Sequence, residues 1–415
     1  MAIIRPFKAF RPKPELCEKV AELPYDVLDR EQALKLAKDN PYSFLHVDKS
    51  EIDLDPSVNP YDDIVYKKAA ENLNKLISDG VLIQDTAPCY YIYSLTTRGR
   101  TQTGLVACSS IDDYLNSVIK RHEFTLSAKQ QDRIRHVDTL DANTGPIFLA
   151  CRRNASLSDT LKSWMGAHKP VCDFTTNSGL TNKVWVINDA SVIDKLTTIV
   201  SGINALYIAD GHHRTASAAE VGQMRRKAHP GYTGNEEFNY FLSVIFPSDE
   251  LLIVDYNRVV ADLNGNTTEQ FFGKLAENFT VAPYEGKGSF SPKQKRAFGM
   301  YLENKWYQLT AKPHICDDTD PEKGLDVWIL QNYLLDPILG IQNPRTDKRI
   351  ECLGGVDGLG ELEDKVHAGM KVAFSLFPTS MDEFMAIADI GKVMPPKSTW
   401  FEPVLLSGLF IHKLS

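Results

Sequence analysis

The chain has 415 residues, 43% hydrophobic and 24% charged, the mix of a soluble globular protein of two or three domains and not of a disordered, collagen-like or coiled-coil chain. Its 46 Lys and Arg against 54 Asp and Glu give a net charge of -8, the wrong sign for a protein that coats nucleic acid or an anionic membrane. No apolar run approaches the ~20 residues of a membrane helix, and the opening MAIIRPFKAFRPKP is too short and proline-broken for a signal peptide, so a cytoplasmic protein is expected.

In chain order, Asp29 to Gln32 is a capping signal, and Asn40-Pro41 stops the helix behind it. A second helix is expected from Pro60, capped by Asn59, with Val65, Ala69, Leu73 and Leu76 as its apolar stripe and Gly80 at its end. Tyr90–Thr96 and Thr103–Ser109 read as strands joined through Arg98-Gly99. Ser127 opens a helix to about Asp141; Pro146–Cys151 is a short apolar strand; Ser156 caps a helix to about Gly166. A strand at Lys183–Asn188, a helix at Ala190–Ser201 and a strand at Ala205–Ala209 lead into a helix ending near Lys227. Asn239–Phe246 and Leu251–Val260 resemble an antiparallel pair around Pro247-Ser248-Asp249. Beyond it the patterning gives a helix from Thr268 to Phe279, a hairpin over Phe298–Thr310 and helices at Asp326–Leu335 and Leu359–Ala368. A strand at Lys371–Phe377, a helix capped at Ser380 and a strand at Gly408–Leu414 close the chain. The expected fold is α+β, a mixed α/β core with an additional α+β C-terminal part, with soft divisions at 1–110, 111–250 and 251–415.

The seven cysteines, Cys17, Cys89, Cys108, Cys151, Cys172, Cys316 and Cys352, are widely spaced and include no C-x-x-C. That spacing suggests neither a disulfide framework nor a zinc knuckle, and most of the cysteines are expected to be small buried apolar residues. No metal site is signposted.

The densest chemistry lies in YIADGHHRTASA, Tyr207 to Ala218. An apolar strand ends in a polar turn that opens an Ala-rich helix. Gly211 allows a tight turn and close approach, and the free N–H groups of the helix start favour an anion. Arg214 can grip phosphate oxygens as a fork, with Thr215 beside it. His212 and His213 can donate hydrogen bonds or move protons, and Asp210 can orient an imidazole. A capped helix with surface histidines is the plainer alternative. A second segment, Arg121-His122-Glu123, offers a carboxylate whose basicity its neighbours set; the following helix carries Asp132, Arg133, Arg135 and His136, which a solvated, ion-paired surface explains as well. Secondary candidates are Glu22, Tyr25 and Asp26 around Pro24, and Asn143 and Thr144 in a turn before a strand. Lys397 and Ser398 follow Pro395-Pro396, a rigid turn without the glycines of a P-loop. The glycines at 354, 355, 358 and 360 do not make a dinucleotide fingerprint, and no G-x-S-x-G is present.

Taken together, ELPYDVL (22–28), NPYSFLHV (40–47), RHEFT (121–125), ANTGPIFL (142–149), YIADGHHRTASA, DYNRVVADLNG (255–265) and MPPKSTWFEP (394–403) resemble the domain of unknown function 1015 family along nearly the whole chain. Over Asp189–Ala218 the order helix, apolar strand, Asp-Gly-His-His-Arg, helix is similar to the nucleotide-binding core of the ParB and sulfiredoxin group, which includes the free serine kinases. That resemblance implies phosphoryl transfer between a nucleotide and a small hydroxyl metabolite, L-serine, or the reverse from O-phosphoserine. It implies ATP or ADP with Mg²⁺ as cosubstrate and ion. Gly211, His212, Arg214 and Thr215, with Arg121, Lys397 and Ser398, would hold nucleotide or phosphate. Glu123 would be the base, with Glu22 the second choice, and His122, His213 and Asp210 would orient and neutralise. A phosphatase of a phosphorylated small molecule and a non-catalytic nucleotide-binding regulator are the alternatives. The expected partners are a small-molecule substrate and a second copy in a homodimer, with neither nucleic acid nor membrane.

Overall fold

Aromatic and β-branched runs in the first half of the chain form one large sheet. The computed structural model describes residues 1–123, 127–354 and 358–415; Phe124 and Thr125 of RHEFT and Gly355 of the glycine-rich turn lie outside them. The chain divides into two units, Met1–Leu251 with Pro403–Ser415, and Leu252–Glu402. Strands on both sides of residue 110 belong to the same sheet.

In the first unit, β1 (Ile4–Arg5) precedes the minor pair β2 (Phe10–Pro12) and β3 (Leu82–Gln84). Then come β4 (Tyr90–Thr97), β5 (Arg100–Ser110) and β6 (Ile119–Lys120). After β7 (Ala142–Asn143) follow β8 (Ile147–Cys151), β9 (Cys172–Thr175), β10 (Thr181–Ile187), β11 (Leu206–Asp210) and β12 (Tyr240–Pro247). The nine-stranded sheet runs β6-β11-β8-β12-β5-β4-β10-β9, with β1 on β5. Two neighbour pairs are parallel, β6 with β11 and β8 with β12. Every residue of β8 is buried, as are the first six of β4, which explains their continuous apolar reading.

The helices of this unit are α1 (Cys17–Val20), α2 (Arg30–Ala37), α3 (Leu45–Asp48), α4 (Asp63–Ser78), α5 (Ile111–Leu115), α6 (Ser127–Leu140), α7 (Ala155–Ala167), α8 (Ala190–Ser201) and α9 (His212–Ala228). The capping box at Asp29 and Gln32 forms as expected. Two caps differ. Helix α7 is capped by Asn154, which accepts from Leu157 N, so Ser156 lies inside the first turn. Helix α4 starts at Asp63, because Asn59 spends its side chain on Tyr61 N in a local turn. One face of the sheet packs on α7 and α8 through Leu157, Leu161, Leu196 and Val200. The C-terminal tail returns to this unit. Ile411 bridges Phe10, Ser407 bridges Glu22, and β21 (His412–Lys413) pairs with β7.

Cys17 and Cys172 form a disulfide across 155 residues of sequence. This corrects the expectation, drawn from the wide spacing, that the cysteines form no disulfide framework. Local spacing could not show the pair, because α1 and β9 meet only in the folded unit.

The second unit holds the pair β13 (Ile253–Val254) and β20 (Trp400–Phe401) and a six-stranded antiparallel sheet. The sheet's strands are β14 (Tyr256–Val260), β15 (Phe279–Pro283), β16 (Ala297–Leu302), β17 (Lys305–Ala311), β18 (Ile350–Gly354) and β19 (Val372–Leu376), in the order β15-β17-β16-β19-β14-β18. Helices α10 (Thr268–Asn278), α11 (Asp326–Leu330), α12 (Gly360–His367) and α13 (Met381–Asp389) complete it. A π-helical turn, Gln331–Leu335, continues α11. The antiparallel pair expected around Pro247-Ser248-Asp249 does not form. Strand β12 lies between β5 and β8 in the first unit, whereas β14 lies between β18 and β19 in the second.

Candidate functional site

Strand β11 delivers the Asp-Gly-His-His-Arg segment to one edge of the first unit's sheet. A register shift between Ile208 and Asp210 breaks the pairing with β8 and frees the chain to turn. Gly211 makes that turn at φ 93°, in the left-handed region, and α9 starts at the next residue. Strand β6 runs parallel to β11, with Leu206 opposite Ile119 and Tyr207 opposite Lys120. Parallel strands end at the same edge, so Arg121-His122-Glu123 leaves the sheet beside Asp210-Gly211-His212.

The two segments are locked by an inward contact. The His122 and His212 rings pack edge to face, 4.4 Å apart at 85°, and both residues are buried. Burial pushes the His122 imidazole down to about 3 and holds His212 well below the ordinary histidine range. Both rings are neutral near pH 7. His212 therefore serves the packing of the turn, while His213 is only part-buried, its imidazole lowered by burial and then by Lys129. Thr215 is fully buried and its hydroxyl donates back to the Gly211 carbonyl at 3.0 Å, which fixes the first turn of α9.

Arg214 is the charged group of the turn. Its Nη2 donates to Asp210 Oδ2 at 2.6 Å and its Nη1 to the Pro146 carbonyl at 2.8 Å. Its Nε is buried with no hydrogen-bond partner among the described residues. Glycine lets the backbone come close on both sides: a Cβ at Gly211 would stand 3.1 Å from Nε, and one at Gly145 would stand 3.4 Å from Nη1. The Asn143-Thr144-Gly145-Pro146 turn is thus a wall of the guanidinium's pocket. Asn143 itself is used structurally, its Oδ1 meeting Leu242 N and the His412 ring.

Next to Arg214 lies a cleft in two connected parts. The inner part is lined by Tyr25, Asp48, Arg133, His136, Thr144, Gly145, Arg214 and Ser407. The outer part is a cavity of about 210 Å³ that shares Tyr25, Asp48, Arg133 and His136 and adds Asp26 and Lys129. The Arg133 guanidinium lies 4.0 Å from the centre of the Tyr25 ring. Its Nε and one terminal nitrogen each stand 2.8 Å from Asp132 Oδ2. Burial, with Arg133 pulling the other way, pushes the Tyr25 hydroxyl up to about 12, so it is a neutral donor. His136 is buried against the Val47 carbonyl, pushed down to about 4 by burial and by Arg133.

The structure thus gathers Tyr25, Asp26, Asn143, Thr144 and Arg214 around one cleft. It separates Glu22, which accepts from Ser43 at 2.6 Å and faces a different cavity with Asn40 and Thr176. Burial raises the Glu22 carboxyl. Arg121 is exposed, and its charge is felt by His212. Lys397 and Ser398 belong to the second unit, where the Lys397 carbonyl accepts from Arg258 and the Ser398 hydroxyl donates to the Pro395 carbonyl. Asp48 and Ser407 were not singled out from sequence, and Arg133 and His136 were equally explained as a solvated helix. Asp48 follows NPYSFLHV directly and is buried in the fold, which no local pattern in the sequence marks. Among the described residues no three His, Cys, Asp or Glu side chains converge as a metal site.

A family model described as "Protein of unknown function (DUF1015)" matches residues 4–328; the resembling segment Met394–Pro403 lies beyond that match. No curated protein matches the chain. Among solved structures it is similar to free serine kinase in complex with AMP, at 16% identity and a TM-score of 0.34 over 73% of this chain and 87% of that one. A variant of free serine kinase in complex with ADP aligns at 15% identity and a TM-score of 0.35 over 74% and 89%. SbnI with a C-terminal truncation, from Staphylococcus aureus, aligns at 10% and 0.36 over 72% and 82%. No helix among the described residues is long and apolar enough to cross a membrane.

Proposed function

We propose that this chain, which belongs to the DUF1015 family, moves a phosphoryl group between a nucleotide and the hydroxyl of a small metabolite, with L-serine, or O-phosphoserine in reverse, as the metabolite. The observation that carries the reading is Arg214. It is a part-buried guanidinium at the start of a 17-residue helix, with its Nε buried and unpartnered among the described residues, where backbone N–H groups and the helix dipole add to its charge. Two glycines, Gly211 and Gly145, let the backbone pack closely against it.

In this reading the metabolite's hydroxyl oxygen bonds to the terminal phosphorus of ATP or ADP. The bridging P–O bond breaks, its electron pair leaves with the nucleotide, and the hydroxyl proton passes to the Glu123 carboxylate. Arg214 and the Gly211–His213 backbone would balance the charge on the phosphoryl oxygens. Asp210 fixes the guanidinium plane, and the His122–His212 contact holds the Glu123 segment beside the turn. Mg²⁺, when bound, neutralises phosphate charge, and the ion would be carried on the nucleotide's own oxygens.

Glu123→Gln is the test. It keeps size and hydrogen bonding but cannot take the proton. Turnover should fall by about 10²-fold or more, with nucleotide affinity within about twofold. Unchanged turnover, or lost nucleotide binding, would remove Glu123 from the role of base.

A further inference from the structure

The Pro146 carbonyl that anchors Arg214 sits on the turn Asn143-Thr144-Gly145-Pro146, and that turn is pinned from behind. Asn143 Oδ1 meets Leu242 N and the His412 ring. The Thr144 hydroxyl, on a buried residue, donates to Asp48 Oδ1 at 2.9 Å. Asp48 ends α3, is only 5% exposed and lines both parts of the cleft. Among the described residues Thr144 is its one side-chain hydrogen-bond partner.

Asp48 is not an isolated charge, because Arg133, Arg214 and His136 all feel it. Each guanidinium nevertheless has a nearer carboxylate of its own, Asp132 for Arg133 and Asp210 for Arg214. Two arginines thus face three carboxylates, and the third works against any anion held by Arg214. Charge alone gives no reason for Asp48 in a phosphate grip. Its hydrogen bond gives one. Thr144 lies two residues before Pro146, with Gly145 between them, and a Cβ at Gly145 would stand 3.4 Å from Arg214 Nη1. The turn has little slack toward the guanidinium, so a bond that fixes Thr144 also fixes the Pro146 carbonyl that accepts from Nη1 at 2.8 Å.

We propose that Asp48 is a positioning residue for Arg214: by accepting from the Thr144 hydroxyl it sets the turn whose Pro146 carbonyl, with Asp210, fixes the plane of the guanidinium. The inference rests on the phosphotransfer reading for what Arg214 holds, but on the Asp48, Thr144 and Pro146 contacts for how Arg214 is held. Charge and hydrogen bond can be separated. Asp48→Asn loses the charge and keeps an acceptor for Thr144, whereas Thr144→Val keeps the branched shape and loses the donor.

The test is ¹⁵N NMR of the arginine side chains in the full chain, with the Arg214 signal assigned by its loss in Arg214→Lys. It needs no substrate. Thr144→Val should speed solvent exchange of the Arg214 Nε–H about tenfold, the size of one lost hydrogen bond, while the backbone amides of β11 keep their protection. Thr144→Ser should restore the slow exchange. Asp48→Asn should stay within about twofold of the parent, and Asp48→Ala should match Thr144→Val. Exchange unmoved by Thr144→Val, or faster exchange only together with β11, would overturn the positioning role. Asp48→Asn is nearly isosteric and decides even where Thr144→Val fails to fold: exchange as fast as in Asp48→Ala would show that charge, not the turn, holds Arg214. The two readings fail differently. A parent protein that moves no phosphate but shows this exchange pattern would sink the reaction and leave the positioning role. Phosphate transfer, with Arg214 unmoved by Thr144→Val, would sink the positioning role and leave the reaction.

Discussion

Gly211→Ala probes the turn most sharply, because two separate costs meet at one atom. At φ 93° an alanine takes on the left-handed strain that glycine avoids, roughly 1–2 kcal/mol. Its Cβ would also stand 3.1 Å from Arg214 Nε. The guanidinium cannot simply swing away, because Asp210 holds it at 2.6 Å and the Pro146 carbonyl at 2.8 Å. The local loss should be about 2 kcal/mol, a ~30-fold drop in hydrogen-exchange protection in peptides spanning 206–228. Affinity for nucleotide should fall with it, since the added methyl crowds the guanidinium that would hold phosphate. Gly211→Asn separates the two costs. Asparagine tolerates positive φ better than alanine but carries the same Cβ, so it should recover part of the protection and none of the affinity. Unchanged protection in the alanine variant would refute the strain, and unchanged affinity in both would refute the phosphate cradle.

Reducing the Cys17–Cys172 bond opens a cross-link across 155 residues, worth up to about 5 kcal/mol in the loop-entropy account. Dithiothreitol should lower the melting temperature of the parent protein and leave that of Cys17→Ser/Cys172→Ser unmoved; no shift in the parent would contradict the bond's role. His122 and His136 are buried neutral, pushed down to about 3 and about 4. The unfolded chain protonates them below pH ~6.5 while the native state does not. Their contribution is therefore complete above pH ~6.5 and is lost as pH falls toward those values, at about 1.4 kcal/mol per pH unit for each histidine. Denaturant unfolding of His136→Gln between pH 6.5 and 4 should show a shallower decline than the parent, and parallel curves would count against it.

The turn itself was legible. An apolar strand, one glycine and an Ala-rich helix fix β11, Gly211 and α9 by local chemistry, and the mixed α/β class follows from the same alternation. The capping boxes at Asp29 and Ser380 were legible too, because cap and N3 residue are three apart. What the sequence hid depends on distance. Asp48 meets Thr144 across 96 residues, and no local pattern separates a buried aspartate from a helix-terminal one. Arg133 reads as a solvated helix charge until Tyr25 covers it. His212 was expected to face a ligand, yet at helical spacing adjacent histidines point apart, and this one turns inward to His122. Nearness in sequence pairs the strand after Ser248 with β12, but the boundary between the units falls just past the turn, after Leu251.

The central claim is phosphate transfer, and phosphorus NMR observes it directly. The full chain would be incubated with Mg²⁺ and L-serine plus ATP or ADP, and separately with O-phosphoserine plus ADP or AMP. The account predicts a phosphorus signal moving between nucleotide and serine in at least one pairing, and its loss in Glu123→Gln. Inorganic phosphate released from O-phosphoserine alone, or no movement of phosphate in any pairing, would contradict it.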